Sequence, residues 1–250
     1  GICGAGIATA MGAGISTLVM LTHFFKKSNT LRLQFSKEIF RLFGRITVNG
    51  FSSFIIDVAM GVLTMLFNRQ IMKYLGTDAL AVYGVIVSVS TLVQCCSYGI
   101  GQASQPIISQ NYGAGNVGRI KKMLRYNIIT AAIFGAVWAA ITFAVPNGLI
   151  RLFMTPTASV LAIAPAIIRI YGSSFLLLPF NVYSTYYFQA TMRAKTSMFV
   201  SVARGIFISG ALILIIPVTL GADMIWWAMP VTELVVAVFA GAMMAKKIQP

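Results

Sequence analysis

The sequence predicts an all-α protein with about seven transmembrane helices, and its composition and apolar runs indicate that fold class. Of the 250 residues, 58% are hydrophobic and only 10% are charged, whereas soluble domains are about 45–50% apolar and about 25% charged. Several apolar runs are longer than the roughly 18 uncharged residues that mark a candidate membrane-spanning helix. Because these runs are continuous rather than alternating, they favour helices over a transmembrane β-barrel.

Apolar runs between charged or Gly/Pro-rich breaks define seven predicted spans. They cover residues 2–25, 47–68, 79–104, 126–146, 162–188, 197–219 and 224–245. Residues 26–46 mix basic and apolar side chains, which is typical of an amphipathic helix lying on the membrane surface. We expect Pro179 to interrupt the fifth span and Pro217 to close the sixth, and broken helices are characteristic of transporters.

Basic residues are distributed unevenly over the predicted connections. The net charge is +14, and one alternate set of connections carries fourteen Lys and Arg residues while the other carries three. Cytoplasmic connections hold the excess of Lys and Arg, so the chain is predicted to start outside and to end with its C-terminus in the cytoplasm. We interpret the charge as a topology signal, which makes the lipid bilayer the expected partner and argues against nucleic acid.

The second span has one polar face. Its residues recur at steps of three and four, the spacing of one side of a helix: Gly50, Ser53, Asp57, Gly61, Thr64 and Asn68. An ionisable residue at membrane depth is costly and by default marks a substrate or proton path. Asp57 is therefore a candidate coupling residue, and a structural hydrogen bond is its alternative role.

Glu233 is the second carboxylate predicted within a span. It follows Trp226 and Trp227, which fit the aromatic belt of the outer interface, and it would lie about 10 Å below them at 1.5 Å per residue. A functional role and a structural pairing with a basic or polar side chain of a neighbouring helix both remain open for Glu233.

Polar faces on the third and fifth spans suggest a wet cavity. These faces carry Ser90, Gln94, Ser97 and Gly101 on the third span and Ser174, Asn181, Thr185 and Gln189 on the fifth. The combined candidates for cation coupling and the substrate cavity are Asp57, Glu233, Ser53, Thr64, Asn68, Gln94 and Asn181.

No enzyme motif accompanies these faces. The sequence has no HExxH, GxSxG or phosphate-binding lysine motif, and the single histidine, His23, is predicted at a span end. We therefore expect neither an enzyme nor a bound cofactor or metal centre.

The connection after the third span carries a more specific pattern. The stretches GIGQASQP at 99–106 and SQNYGAGN at 109–116 resemble the signature of the multidrug and toxic compound extrusion (MATE) transporters. Residues 4–9, 189–194 and 226–234 look like the same family, so the resemblance runs nearly from end to end.

This resemblance implies an efflux antiporter of the plasma membrane. Such transporters have twelve helices in two six-helix lobes and export cationic, amphipathic drugs or metabolites in exchange for H⁺ or Na⁺. On that pattern, residues 1–25 are the last helix of the N-terminal lobe, 26–46 a cytoplasmic linker and 47–250 the six-helix C-terminal lobe. The rest of the N-terminal lobe would be a missing partner. Asp57 lies where some members have an acid on helix seven.

Two alternative functions remain open at this stage. A flippase or exporter of lipid-linked saccharides in the same superfamily would need a more cationic cavity, to which Arg69, Arg169 and Arg204 could contribute. A seven-helix receptor also fits the number of spans, although receptors rarely need polar faces on three helices.

Overall fold

The computed structural model describes residues 2–25, 43, 58 and 61–245. Within these residues all regular secondary structure is helical, and there is no β-strand. The chain divides into two compact units, residues 1–49 and 50–250. The first unit contains α1, Ile2–Leu21, which is followed by a 3-10 turn, Thr22–Phe25.

The second unit is a bundle of helices. Helix α2 includes residues 61–74, and it is followed by α3 (Gly76–Gly113), α4 (Val117–Ala144), α5 (Pro146–Phe153), α6 (Ala158–Gly172), α7 (Leu178–Ala190), α8 (Ala194–Val202), α9 (Ile208–Thr219) and α10 (Ala228–Ala245). Two 3-10 turns, Ser173–Leu176 and Ala222–Trp227, precede α7 and α10, and a π-helical turn, Ala203–Phe207, joins α8 to α9.

Five helical segments in the described chain are long and apolar enough to cross a membrane. They are Gly76–Gly113, Val117–Ala144, Ala158–Ala190, Ala194–Thr219 and Ala222–Ala245. These segments contain four of the predicted spans and all but the last two residues of a fifth, 126–146, and they confirm a polytopic helical membrane protein. Gly6–Leu21 of α1 is a shorter apolar helix, and much of the second predicted span lies outside the described residues.

The connection after the third span is shorter than predicted. Helix α3 continues through Pro106 to Gly113, beyond the expected end at residue 104, so most of the family-like stretch is helical. Only Ala114–Asn116 separates α3 from α4. Gly115 has a φ of 71°, a left-handed conformation that costs glycine little and allows the chain to reverse there.

The fifth span is interrupted as its proline predicted. Helix α6 ends at Gly172, and Pro179 lies in the first turn of α7, where the missing proline N–H would have no helical acceptor. The intervening 3-10 turn packs against α4. A Cβ atom on Gly135 would lie 2.5 Å from the Leu176 carbonyl oxygen, so only glycine permits this approach.

Two apolar cores lie near opposite ends of α3. The larger core joins residues of α2, α3, α6, α7, α9 and α10 and includes Phe67, which stacks on Tyr83 at a centroid distance of 4.9 Å. The smaller core surrounds Ile108 and contains buried residues of α4, α7, α8 and α10. These cores fix α3 against α7 and leave polar side chains between the helices.

Candidate functional site

A cavity of about 390 Å³ opens inside the second unit. Its walls come from α2, α3, α6, α7, the turn before α7, the α8–π segment and α10. Tyrosines, amides and hydroxyls line it together with a smaller number of aliphatic side chains. The polar and aromatic lining consists of Tyr83, Tyr98, Tyr171, Tyr186, Gln94, Gln102, Gln189, Thr64, Ser90, Thr91, Ser174, Thr185, Ser201 and Arg204.

Helix α3 supplies one wall through a single helical face. Thr91, Gln94, Tyr98 and Gln102 follow steps of three or four residues and all line the cavity, as the 3.6-residue period requires. The side-chain amide of Gln94 donates to the Tyr98 hydroxyl at 2.7 Å. This bond holds an amide and a phenol on the same wall.

The opposite wall approaches α3 where α3 has no side chain. The ring of Tyr186 on α7 lies against Gly101, and a Cβ atom there would clash with Tyr186 Cδ2. Gln102 donates to the Tyr186 hydroxyl at 3.3 Å. The glycine therefore allows α7 to place a tyrosine between the two helices and beside the cavity.

A buried ion pair lies behind the cavity wall. Arg204 Nε donates to Glu233 Oε1 at 2.7 Å, and the side chain of Glu233 is completely buried while that of Arg204 is 15% exposed. The amide of Asn181 donates to Glu233 Oε2 at 2.6 Å and to the Glu233 carbonyl oxygen at 2.8 Å. Both carboxylate oxygens are thus hydrogen-bonded, as a buried charge requires.

The π-helical turn sets the position of Arg204. At its end the N–H of Ile208 donates to the Ala203 carbonyl, five residues earlier, so one additional residue is accommodated in the helix. The Ser209 hydroxyl donates to the Arg204 carbonyl at 2.6 Å. This widened turn directs Arg204 towards α10, and π-bulges often occur at functional sites.

The predicted site residues fall into four groups. Thr64 and Gln94 line the cavity, and Asn181 and Glu233 form the polar cluster behind it. Asn68 is exposed on α2 and is not part of the cavity lining. Asp57 and Ser53 lie outside the described residues.

The predicted polar faces are divided between lining and packing. Ser90 lines the cavity, whereas Ser97 is fully buried and its hydroxyl donates to the Val93 carbonyl of its own helix. On the fifth span Ser174, Thr185 and Gln189 line the cavity, and Asn181 turns instead to Glu233.

Arg204 is one of the cavity residues that the predicted site residues did not include. It is the only charged side chain that lines the cavity among the residues the structure describes. The available signal was a single arginine within an apolar span, which is itself an indication of function. From the sequence, Arg204 is a candidate only for the saccharide-transport alternative.

Comparison with known proteins identifies the family. The family model described as MatE matches residues 51–216. The multidrug export protein MepA of Staphylococcus saprophyticus is 24% identical over 241 residues, which cover 96% of this chain and 52% of that protein. The probable multidrug resistance protein YoeA of Bacillus subtilis is 26% identical over 203 residues, covering 78% of this chain and 42% of YoeA.

Solved structures share the fold. A multidrug resistance MATE family transporter in an outward-facing conformation has a TM-score of 0.78 at 19% identity, covering 91% of this chain and 52% of that one. The MATE multidrug transporter DinF-BH, solved in complex with R6G, has a TM-score of 0.77 at 22% identity, covering 96% of this chain and 54% of that one. This chain spans about half the length of these relatives. It is a member of the MATE family of membrane transporters rather than an enzyme.

Proposed function

We propose that this chain forms the C-terminal lobe and the last N-terminal-lobe helix of an efflux antiporter in the plasma membrane. The complete transporter would export amphipathic organic cations, drugs or metabolites, in exchange for H⁺ or Na⁺, with the C-terminus in the cytoplasm. The cavity of about 390 Å³ is the observation that carries this proposal. The printed names of MepA and YoeA, which describe multidrug export and resistance, support it.

The cavity lining suits an amphipathic aromatic compound. Tyr98 and Tyr186 offer ring faces, on which aromatic groups stack and cations are attracted. Gln94 and Gln102 add amides that can pair with polar groups of a substrate. A ligand can therefore bury apolar surface and retain hydrogen bonds, which are the two requirements of a small-molecule site.

Asp57 is the residue that we propose for ion coupling. A carboxylate at membrane depth can hold a proton, a sodium ion or a cationic substrate, but only one of them at a time. Because the carboxylate can hold only one of them, export of the substrate would have to alternate with entry of the ion. Thr64, one of the other residues on the predicted face of Asp57, lines the cavity and supports this assignment.

The test is dye efflux from cells that express the complete transporter. Tetramethylrhodamine ethyl ester, a fluorescent cation, should leave wild-type cells faster when an H⁺ or Na⁺ gradient is applied. Asp57→Asn keeps the shape and removes the charge, so the initial rate should fall by about tenfold or more. Asp223→Asn, which changes an exposed acid before α10, is the matched control.

The two variants distinguish coupling from general damage. Membrane expression of both should stay near the wild-type amount, and the control should retain the gradient dependence. If Asp57→Asn retains wild-type efflux and gradient dependence, the coupling assignment is wrong. A wild type that does not export the dye above the vector control would contradict the antiporter proposal itself.

One observation favours transport of a lipid-linked saccharide as a second candidate. Arg204 gives the cavity the cationic side chain that such a transporter would use for a diphosphate. The aromatic lining and the similarity to MepA make this alternative weaker. Translocation of a fluorescent lipid-linked diphosphate sugar in liposomes, without dye export, would favour it.

A further inference from the structure

Arg204 presents part of its guanidinium group to the cavity. An arginine has five N–H donors in a planar fork, and the bond to Glu233 uses the one on Nε. The terminal nitrogens make no hydrogen bond with any other residue that the structure describes, and the side chain is part of the cavity lining. Donors of a fixed cation therefore remain available to a ligand.

The surrounding contacts fix this guanidinium in place. Glu233 is fully buried behind it, and its second oxygen is held by Asn181. Glu233 does not line the cavity, so a ligand meets the arginine before the carboxylate. Because Coulomb interactions weaken with distance, an anionic group at this wall is attracted by Arg204 more than it is repelled by Glu233.

The neighbouring residues leave room for such a group. Gly205 follows Arg204 in the cavity wall without a side chain, and Ser201 lies one turn earlier on the same side with a hydroxyl donor. Within the described residues no carboxylate lines the cavity. This wall is therefore chemically suited to an anion rather than to the ammonium group of a cation.

We propose that Arg204 binds a carboxylate of the exported compound through its terminal nitrogens. The substrate would then carry an anionic group as well as an amphipathic aromatic body, and its cationic group would lie elsewhere in the transporter. The planar fork of arginine matches the two oxygens of a carboxylate. This inference rests on the proposed function because it concerns the compound held in the transport cavity.

Two dyes with the same aromatic body test the proposal. Tetramethylrhodamine has a free carboxylate, and its ethyl ester does not. Binding of both is measured by fluorescence anisotropy with the complete transporter in nanodiscs of zwitterionic lipid. The wild type should bind the acid more tightly than the ester by about tenfold or more, the size expected for hydrogen bonds to a charged group.

The variants do not leave the buried carboxylate of Glu233 without a counter-charge. Arg204→Gln combined with Glu233→Gln removes both charges and should remove the preference for the acid, while binding of the ester changes by less than about twofold. Arg204→Lys keeps the charge but loses the fork, and should weaken only the acid. Arg151→Gln, which removes an exposed arginine of α5, should change neither affinity.

The possible outcomes separate the two proposals. The role of Arg204 is overturned if the double variant loses affinity for both dyes equally. It is also overturned if the wild type binds neither dye or binds both with the same affinity. If the double variant does not fold, an equal loss of affinity for both dyes in Arg204→Lys overturns the role of Arg204. A preference that disappears when phosphatidylglycerol is added to the nanodiscs assigns the site to a lipid phosphate and overturns a substrate role. Selective binding without dye efflux would contradict the transport proposal and leave the binding site established.

Discussion

Two of the departures from α-helical geometry in the described part of the bundle, one 3-10 turn and one π-helical turn, are stabilised differently. The 3-10 turn Ser173–Leu176 packs against the backbone of α4 because Gly135 has no side chain. The π-helical turn Ala203–Phe207 instead carries Arg204 to the carboxylate of Glu233. The first interruption depends on close packing of backbone against backbone, and the second depends on a charged pair.

Both interruptions use serine hydroxyls to satisfy carbonyl groups. Ser174 donates to the Tyr171 carbonyl at 2.7 Å, and Ser209 donates to the Arg204 carbonyl at 2.6 Å. A membrane offers no water to such groups, so irregular backbone must find partners within the protein. The same need to satisfy backbone carbonyl groups is therefore met at a turn that packs tightly against α4 and at a turn that brings a charged side chain to the cavity.

The largest effect should come from breaking the charged pair. Arg204→Met leaves the buried Glu233 without its counter-charge, which should lower the free energy of unfolding by about 3–5 kcal/mol. Unfolding of the complete transporter in mixed micelles with SDS measures the change. Glu233→Gln added to this variant should restore most of the lost stability, and failure to restore it would show that packing of Arg204 matters more than its charge.

A slightly smaller effect is expected at the first interruption. Gly135→Ala places a Cβ atom against the carbonyl oxygens of Phe175 and Leu176, and backbone cannot yield as a flexible side chain can. We expect a loss of about 3 kcal/mol, at the upper end for overpacked sites. Gly84→Ala on α3, where a Cβ atom would contact nothing within 4 Å, should be neutral or stabilising, and equal losses in both variants would contradict the packing argument.

The sequence predicts the helices well because lipid imposes long apolar runs on them. It also predicts the break at Pro179, since proline lacks the N–H that a continuing helix needs. Helical spacing alone predicts that Thr64 and Gln94 lie on the polar faces of their helices, and both side chains line the cavity. The period of a single helix is enough to show which residues share a face, so this part of the site does not depend on how different helices are aligned.

The ion pair could not be predicted in the same way. Glu233 is separated by 29 residues from Arg204 and by 52 from Asn181, so their meeting depends on how three helices are aligned. The π-helical turn also inserts one residue, which rotates the following face by about 100° relative to a regular helix. The second span remains a prediction at Asp57 and Ser53, because both lie outside the described residues.

Asn181 contributes to the charged pair without carrying a charge itself, because its amide donates to Glu233 Oε2. Asn181→Leu takes away the donor to Glu233 Oε2, and an unsatisfied buried charge should cost about 2 kcal/mol of the free energy of unfolding. Asn111→Leu is the control, because the side chain of Asn111 donates to the Ile107 carbonyl within its own helix α3. Equal stability of the two variants would show that Arg204 alone satisfies the carboxylate.

The smallest expected effect concerns the hydroxyl that supports the π-helical turn. Ser209→Ala removes the hydrogen bond to the Arg204 carbonyl and should cost about 1 kcal/mol, the usual net value of one hydrogen bond. Thr219→Ala is the matched control, because its hydroxyl donates to the Ile215 carbonyl in the exposed last turn of α9. If the turn depends on this bond, Ser209→Ala should also weaken binding of the carboxylate dye by displacing Arg204, while binding of the ester stays unchanged. A loss of stability with an unaltered preference for the carboxylate would show that the ion pair holds Arg204 in place without help from the serine.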